Sequence, residues 1–326
     1  MANPPADAVQ SALVMSTRSH RQSTTVRQLV LWSERQLLKA GVAYGHGTDN
    51  ALDEAAWLVG SAIGVAPADL DSELDRIADP SRVAAARRIV EMRISTRKPA
   101  AYLLREAWFA GLRFYVDERV IVPRSLIGEF VLEQFQPWIE AVNVRRALDL
   151  CTGSGCIAVA VAKAFPHATL DAADVSVDAL EVARINVAAY SLEGRIRLVR
   201  SDLFGSLAGE RYDLIVSNPP YVPAGELASL PEEYRHEPGL ALASGPDGLD
   251  AIARILAQAD EHLAPGGILV VEVGNSREAL EQRFPRVPFL WLCTRSGDES
   301  VFLLDQAELV RHQMMFRESA RNHDAD

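Results

Sequence analysis

Ala147-Leu148-Asp149-Leu150-Cys151-Thr152-Gly153-Ser154-Gly155-Cys156 is the stretch on which the fold is read. A short apolar run opens into a loop with two glycines. Residues without a Cβ let a backbone turn sharply and approach a ligand. A helical stretch follows, then a second apolar run, ATLDAADV, which reaches Asp174 nineteen residues beyond Gly155. An acid at the end of that strand can accept hydrogen bonds from both hydroxyls of a ribose. Strand, glycine loop, helix, strand and terminal acid, in that order, indicate a nucleoside-containing cofactor. The candidate cofactor residues here are Asp149, Thr152, Gly153, Ser154, Gly155, Asp174 and Val175.

The loop alone leaves a dinucleotide open, because Ala158 stands at the place of a third glycine and is a tolerated substitute. Asp202 and Leu203 follow the third apolar run in RSDLF. An acid there suits an adenine amino group, an arrangement more typical of S-adenosylmethionine (SAM) than of NAD. Helix capping or turn formation is the plain alternative for Asp174 and Asp202.

Outward from this loop, short apolar runs alternate with helical stretches: ALDL, ATLDAADV, IRLVRSD, DLIVSN, GILVVEV, FLWLC and VFLLD. Strands separated by helices predict an α/β fold with a mostly parallel sheet covered on both faces. The last two runs are joined only by TRSGDES, which predicts an antiparallel hairpin at one edge.

Directly after the fourth run comes Asn218-Pro219-Pro220-Tyr221. Two prolines fix an extended backbone that makes no ladder bonds through its nitrogens. The Asn218 side-chain carbonyl and the Pro219 main-chain carbonyl can then point into the crevice, with Tyr221 offering a flat face. Two acceptors and a ring make a receptor for a planar –NH2 group. The plain alternative is a rigid turn without chemistry.

The rest of the chain frames this unit. Its 326 residues are 48% hydrophobic and 24% charged, an ordinary globular composition that excludes collagen-like and disulfide-scaffold classes. No apolar run approaches the roughly 18–20 residues of a membrane span. Residues 1–25 read as a disordered tail and 26–107 as a helical domain, with helices at Val26–Leu38, Thr48–Gly60 and Pro80–Thr96. The charges Arg87, Arg88, Arg93, Arg97 and Lys98 read as a solvated face of the third helix, with contact to RNA or an acidic partner as the alternative. In residues 108–123 the period changes to two, a β-hairpin linker turning at Asp117-Glu118. A helix, Ile127–Trp138, then opens the C-terminal unit, 124–326.

Cys151, Cys156 and Cys293 are too few and too unevenly spaced for a disulfide framework, and fit a reducing cytoplasm. No His or Cys partner stands at zinc spacing, so no metal site is expected. Net charge is −1 over residues 1–143 and −10 over 144–326. So acidic a C-terminal half disfavours binding to a phosphate backbone and suits a basic partner.

With these blocks in place, the chain resembles the HemK/PrmB class of SAM-dependent protein N(5)-glutamine methyltransferases. The resemblance runs from Tyr44-Gly45-His46-Gly47-Thr48-Asp49-Asn50 through AYLLREAWFAGLRFYVDERVIVPRSLIGE and DLCTGSG to NPPYV, LPEEYRHEPGLALASGPDGL and the terminal strands. YGHGTDN, VDERVIVPRS and EYRHEP are similar to the branch that modifies protein three of the large ribosomal subunit. Release-factor enzymes usually read PRPDTE where this chain has Pro123-Arg124-Ser125-Leu126-Ile127-Gly128-Glu129, and commonly Trp where Leu203 stands.

The resemblance implies a Rossmann-like class I methyltransferase domain with a seven-stranded sheet and a small helical domain for substrate recognition. It implies that Gly153 and Gly155 border the methionine part of SAM, Asp174 the ribose, and Asp202 with Leu203 the adenine. Asn218, Pro219, Pro220 and Tyr221 are then the catalytic loop that holds a glutamine amide. Arg124 lies near the site or pairs with Glu129. His46 and His236 read as loop hydrogen-bonders, and residues 222–248 as a loop over the crevice. The implied partner is the ribosomal protein, free or in an assembly intermediate, with no membrane and no specific DNA. Release-factor glutamine and nucleic-acid adenine are the alternative substrates, and a ribosome-assembly binding factor the alternative class.

Overall fold

The computed structural model describes residues 23–323. The expected tail therefore lies outside the described residues up to residue 22. Thr24 and Thr25 do not belong to a tail: the Thr24 carbonyl accepts from Ala78 N–H, and the Thr25 hydroxyl caps the first helix.

Helices α1 (Val26–Ala40), α2 (Ala51–Ile63), α3 (Leu70–Glu73), α4 (Pro80–Thr96) and α5 (Ala100–Leu104) form the N-terminal unit. Each long helix begins on a cap that satisfies an orphan N–H: Thr25 with Gln28 in a capping box, Asn50, and Asp79 before Pro80. Leu29, Leu37, Leu58 and Val90 are fully buried between these helices. Each contributes roughly 1.5–3 kcal/mol relative to exposure.

One expectation for this unit fails. Arg93 is fully buried rather than solvated. Its guanidinium donates to Glu54 Oε1 at 2.8 Å, Glu233 Oε1 at 3.2 Å and the Ala43 carbonyl at 2.7 Å. Helical spacing places residue 93 on the same face as Ala86 and Val90, and two carboxylates make burial of the charge tolerable.

The linker is also shifted. Strands β1 (Ala107–Phe109) and β2 (Leu112–Phe114) pair antiparallel with Phe109 opposite Leu112. The turn is therefore Ala110-Gly111, where φ is +49° and +74°, and not Asp117-Glu118. Positive φ at both central positions is the type I′ hairpin geometry, which Gly111 adopts freely and Ala110 adopts beside it. Asp117 instead accepts from the Arg119 guanidinium and the Tyr115 hydroxyl. The next helix, α6, spans Ile127–Leu132 and stops short of Trp138. Gln134 and Phe135 both have φ of +54°, and Pro137 cannot continue a helix.

The catalytic unit follows as β3 (Arg146–Leu150), α7 (Cys156–Ala164), β4 (Thr169–Asp174), α8 (Val177–Ala189), β5 (Ile196–Arg200), β6 (Tyr212–Ser217), α9 (Asp250–His262), β7 (Leu263–Glu272), α10 (Arg277–Arg283), β8 (Leu290–Leu292), β9 (Val301–Asp305) and α11 (Gln306–His323). The seven strands lie in the order β5-β4-β3-β6-β7-β9-β8. All pairings are parallel except those of β9, which runs antiparallel to both β7 and β8. This is the class I methyltransferase arrangement, with the expected edge hairpin.

Alternation along the strands builds a core on each face. Ala147, Leu214 and Val216 pack toward α7, while Leu148, Leu150 and Ile215 pack toward α9 and α11. The chain leaves β3 toward β4 on one side and leaves β6 toward β7 on the other. Strand order reverses between them, and ligands bind in the crevice at the carboxyl ends of strands at such a point.

Candidate functional site

The loops after β3, β4, β6 and β7 meet in that crevice. Gly153 has φ of +54°, and a Cβ there would meet nothing within 4 Å, so its free side faces open space. Gly155 serves packing instead. A Cβ on it would lie 3.2 Å from Ala183 Cβ, so the glycine lets α7 approach α8. Asp174 closes the loop from the next strand. One carboxylate oxygen accepts from Gly153 N–H and the other from Ser176 N–H, each at 2.9 Å. Burial raises its pKa. A carboxylate has about four acceptor sites, so these two bonds leave capacity for ligand hydroxyls.

A cavity of about 300 Å³ opens here, bordered by Gly153, Asp174, Val175, Asp202, Leu203 and Asn218. Four of the expected cofactor residues, Asp149, Thr152, Ser154 and Gly155, do not border it. Asp149, Thr152 and Ser154 are buried beneath the loop. Asp149 Oδ2 accepts from the Thr152 hydroxyl at 2.5 Å and from Ala158 N–H at 3.0 Å, and the Ser154 carbonyl accepts from Asn186. Alternation explains this: Asp149 points to the same face as Ala147, toward the helix rather than the crevice. Complete burial pushes the Asp149 carboxyl up to about 7. Asp202 stands at the rim, 2.8 Å from Arg254 on α9.

A second cavity of about 230 Å³ lies beyond the first, bordered by Asn218, Pro219, Tyr221, Arg124, Tyr234 and Asn275, among others. Asn218 borders both cavities, as do Ile121 and Ala241. Pro220 faces the first and Tyr221 the second. Tyr221 is held from behind: its hydroxyl donates to Glu272 Oε1 at 3.3 Å. Glu272 also accepts from the Ser125 hydroxyl at 2.6 Å and Leu126 N–H at 2.9 Å, so one buried carboxylate fixes two site loops.

Sequence reasoning missed Glu272, although its signal is the one that marked Asp174: an acid closing an apolar strand. It also missed the partner of Arg124. That residue pairs with Glu237 at 2.5 and 2.8 Å, not with Glu129, whose carboxylate accepts from Arg295 N–H. The guanidinium also sits 5.5 Å from the centre of the Tyr234 ring. Glu237 is far away in sequence, and no local pattern joins the two.

Residues 222–248 cover both cavities. Ser244 and Gly245 border the first, Val222, Leu230 and Leu242 the second. The segment is tied to the N-terminal unit by Glu233 with Arg93 and Ala43 N–H, and by His236 Nε2 at 3.0 Å from the Thr96 carbonyl. His46 is buried against Tyr234, ring centres 4.4 Å apart, with neither ring nitrogen in a hydrogen bond. Among the described residues, no group of His, Cys, Asp and Glu could hold a metal ion.

A nucleoside sulfonium fits the first cavity on this chemistry. The open flank of Gly153 and the carboxylates of Asp174 and Asp202 suit a ribose, an adenine amine and a positive charge.

The methyltransferase small domain family matches residues 129–230. The chain is 49% identical over 303 residues to the ribosomal protein uL3 glutamine methyltransferase of Neisseria meningitidis serogroup B, covering 91% of this chain and 98% of that protein. The protein of the same name from Burkholderia pseudomallei is 48% identical, over 90% and 98%. That from Francisella tularensis is 44% identical, over 90% and 94%.

Proposed function

From the premise that this chain belongs to the ribosomal protein uL3 glutamine methyltransferase family, we infer that it methylates the side-chain amide nitrogen of a glutamine in uL3, the large-subunit protein three, with SAM as donor. The observation that carries this reading is the place of Asn218, on the wall common to two cavities. One suits the donor and the other is sized for a side chain.

An amide nitrogen is a poor nucleophile because its lone pair is delocalised into the carbonyl. Asn218 Oδ1 and the Pro219 carbonyl accept the two amide N–H bonds, and Pro219-Pro220 keep both acceptors in place. Acceptors aimed at those hydrogens favour a pyramidal nitrogen and stabilise the positive charge that grows on it. Tyr221 packs on the amide plane, oriented by Glu272. When bound, SAM supplies the electrophilic methyl. Gly153, Asp174, Asp202 and Leu203 hold it in the first cavity. The chain's contribution is then alignment, which can be worth roughly 7–11 kcal/mol. The methylated nitrogen is acidic enough to release its proton to water, and no general base is assigned.

The helical unit, residues 26–107, recognises the protein substrate. Free uL3 or uL3 in an assembly intermediate of the ribosome is the substrate form, which places the reaction in the cytoplasm. Among the described residues, no helix is long and apolar enough to cross a membrane.

Purified chain, methyl-labelled SAM, unmodified uL3 and an unmodified release factor test the reading together. Peptide mass mapping should place one methyl on a glutamine of uL3 alone. Label on the release factor alone would overturn the substrate, and label on neither would overturn the activity.

A further inference from the structure

One large cavity lies outside the crevice. A groove of about 900 Å³ runs between α2 and the β1–β2 hairpin and shares no bordering residue with the two reaction cavities. Trp57 and Trp108 border it. Both indole N–H groups donate to one carboxylate oxygen, Glu106 Oε1, at 3.1 Å each. The other oxygen accepts from Arg113 at 3.2 Å. Two indoles are thus anchored by their polar edges, which leaves ring surface for ligand contact. Trp108 is 43% exposed, an uncommon state for so large an apolar side chain.

Charge decides what the groove takes. Its ionisable border is Asp53, Asp71, Glu106 and Arg113, an excess of acid. Arg113 is already paired with Glu106, while Asp53 and Asp71 are exposed. Indole rings with carboxylates beside them suit guanidinium and ammonium groups: the stems lie on the rings and the heads meet the acids. A protein that sits on ribosomal RNA neutralises phosphates with Lys and Arg and is therefore basic. The groove also connects to the reaction site. A Cβ at Gly47 would lie 3.6 Å from the Trp57 ring and 3.9 Å from Val122, and Arg124, two residues after Val122, borders the second cavity.

We propose that this groove docks a basic, extended segment of the protein substrate, remote from the glutamine that is methylated. The proposal rests on uL3 being the substrate. The docking segment holds the substrate while its glutamine reaches Asn218, so the groove acts on affinity and not on the chemical step.

The test is steady-state methylation of purified uL3 by the full chain and by Asp71→Lys with Trp108→Ala. Both residues are exposed, and Trp108→Phe serves as the conservative variant. The double variant should raise KM for uL3 about tenfold, with kcat within roughly twofold, and Trp108→Phe should stay near the parent. A short peptide around the mapped glutamine should show no difference between parent and variant. An unchanged KM for uL3, or a loss of kcat instead, would overturn the docking role and leave the activity standing. A groove that seats a second copy of the chain would show as a dimer in light scattering, lost in the double variant with KM unchanged, and would also overturn it. Failure of the parent to methylate uL3 at all would overturn the functional reading and the docking proposal with it.

Discussion

In the proposed mechanism Asn218 is the residue on which the chemistry turns, because its amide oxygen is one of the two acceptors proposed for the reacting nitrogen. Asn218→Ala should lower kcat by about two to three orders of magnitude, the cost of one directed hydrogen bond in a dry site. SAM affinity measured by calorimetry should stay within about threefold, since Gly153, Asp174 and Leu203 remain. Retained methyl transfer would remove the amide from the mechanism. Asn218, Gly153 and Asp174 were legible because each follows an apolar run at a fixed offset. His46 was legible only as a polar loop residue. Its neighbours Glu237, Arg124 and Arg93 come from three separate segments, and so does its energetics. Burial pushes its pKa down to about 4, against the pull of Glu237 Oε2 at 3.8 Å. The folded state keeps the ring neutral, while the unfolded chain binds a proton near pH 6.5. Below that pH the unfolded state holds more protons, so stability should fall as pH drops from about 6.5 to 4. The shift corresponds to about 3 kcal/mol over that window. Urea titrations of the parent and His46→Leu at several pH values test it. Parallel stability curves would show that His46 does not titrate differently on folding.

Among the elements, periodicity located the strands and helices of the catalytic unit because each buries a face against the sheet. It failed where local backbone chemistry takes over. Gly111 carries the hairpin turn, and the backbone reverses at Gln134-Phe135 inside an apolar run that reads as helix. The same limit hides how the end of β7 packs against the Asn218–Tyr221 loop. Gly274, with φ of +50°, lies so close to Tyr221 that a Cβ would come within 2.3 Å of its ring. No local sequence pattern marks that contact. Gly274→Ala must displace Tyr221 or the loop itself, and it must also hold alanine at positive φ. A shift of about 1 Å at a reacting group can cost a hundredfold in rate. Methyl transfer should therefore fall about 10- to 100-fold, with SAM affinity nearly unchanged because Gly274 does not border the first cavity. A parental rate would mean that Tyr221 tolerates displacement and does not orient the amide.

At the scale of the whole molecule, the question is what keeps a helical unit in fixed relation to a crevice built by a different part of the chain. Much of the answer is ionic and buried. Arg93 of α4 reaches Glu54 of α2 and Glu233 of the covering segment, while Arg124 and Val122 N–H both meet Glu237. Charge counting from sequence assigns such residues to the surface, since isolated Arg and Glu are rarely buried. Only the tertiary fold supplies partners that lie 39 and 140 residues from Arg93. A buried pair is a weak source of net stability, yet removing one member leaves its partner charged and dry. Arg93→Met should therefore cost about 3–5 kcal/mol in urea unfolding. Arg93→Met with Glu54→Gln and Glu233→Gln removes the fully buried charges of the cluster, leaves Arg97, 3.5 Å from Glu233, on its backbone acceptors Gly41 and Ala40, and should recover most of that loss. The two variants separate stability from function. If the cluster serves to hold residues 222–248 over the site, the triple variant should fold well and still methylate slowly, with faster proteolysis of that segment. A triple variant with parental activity would show that packing alone positions the covering segment. A single variant that loses less than about 1 kcal/mol would show that the cluster is wet rather than buried.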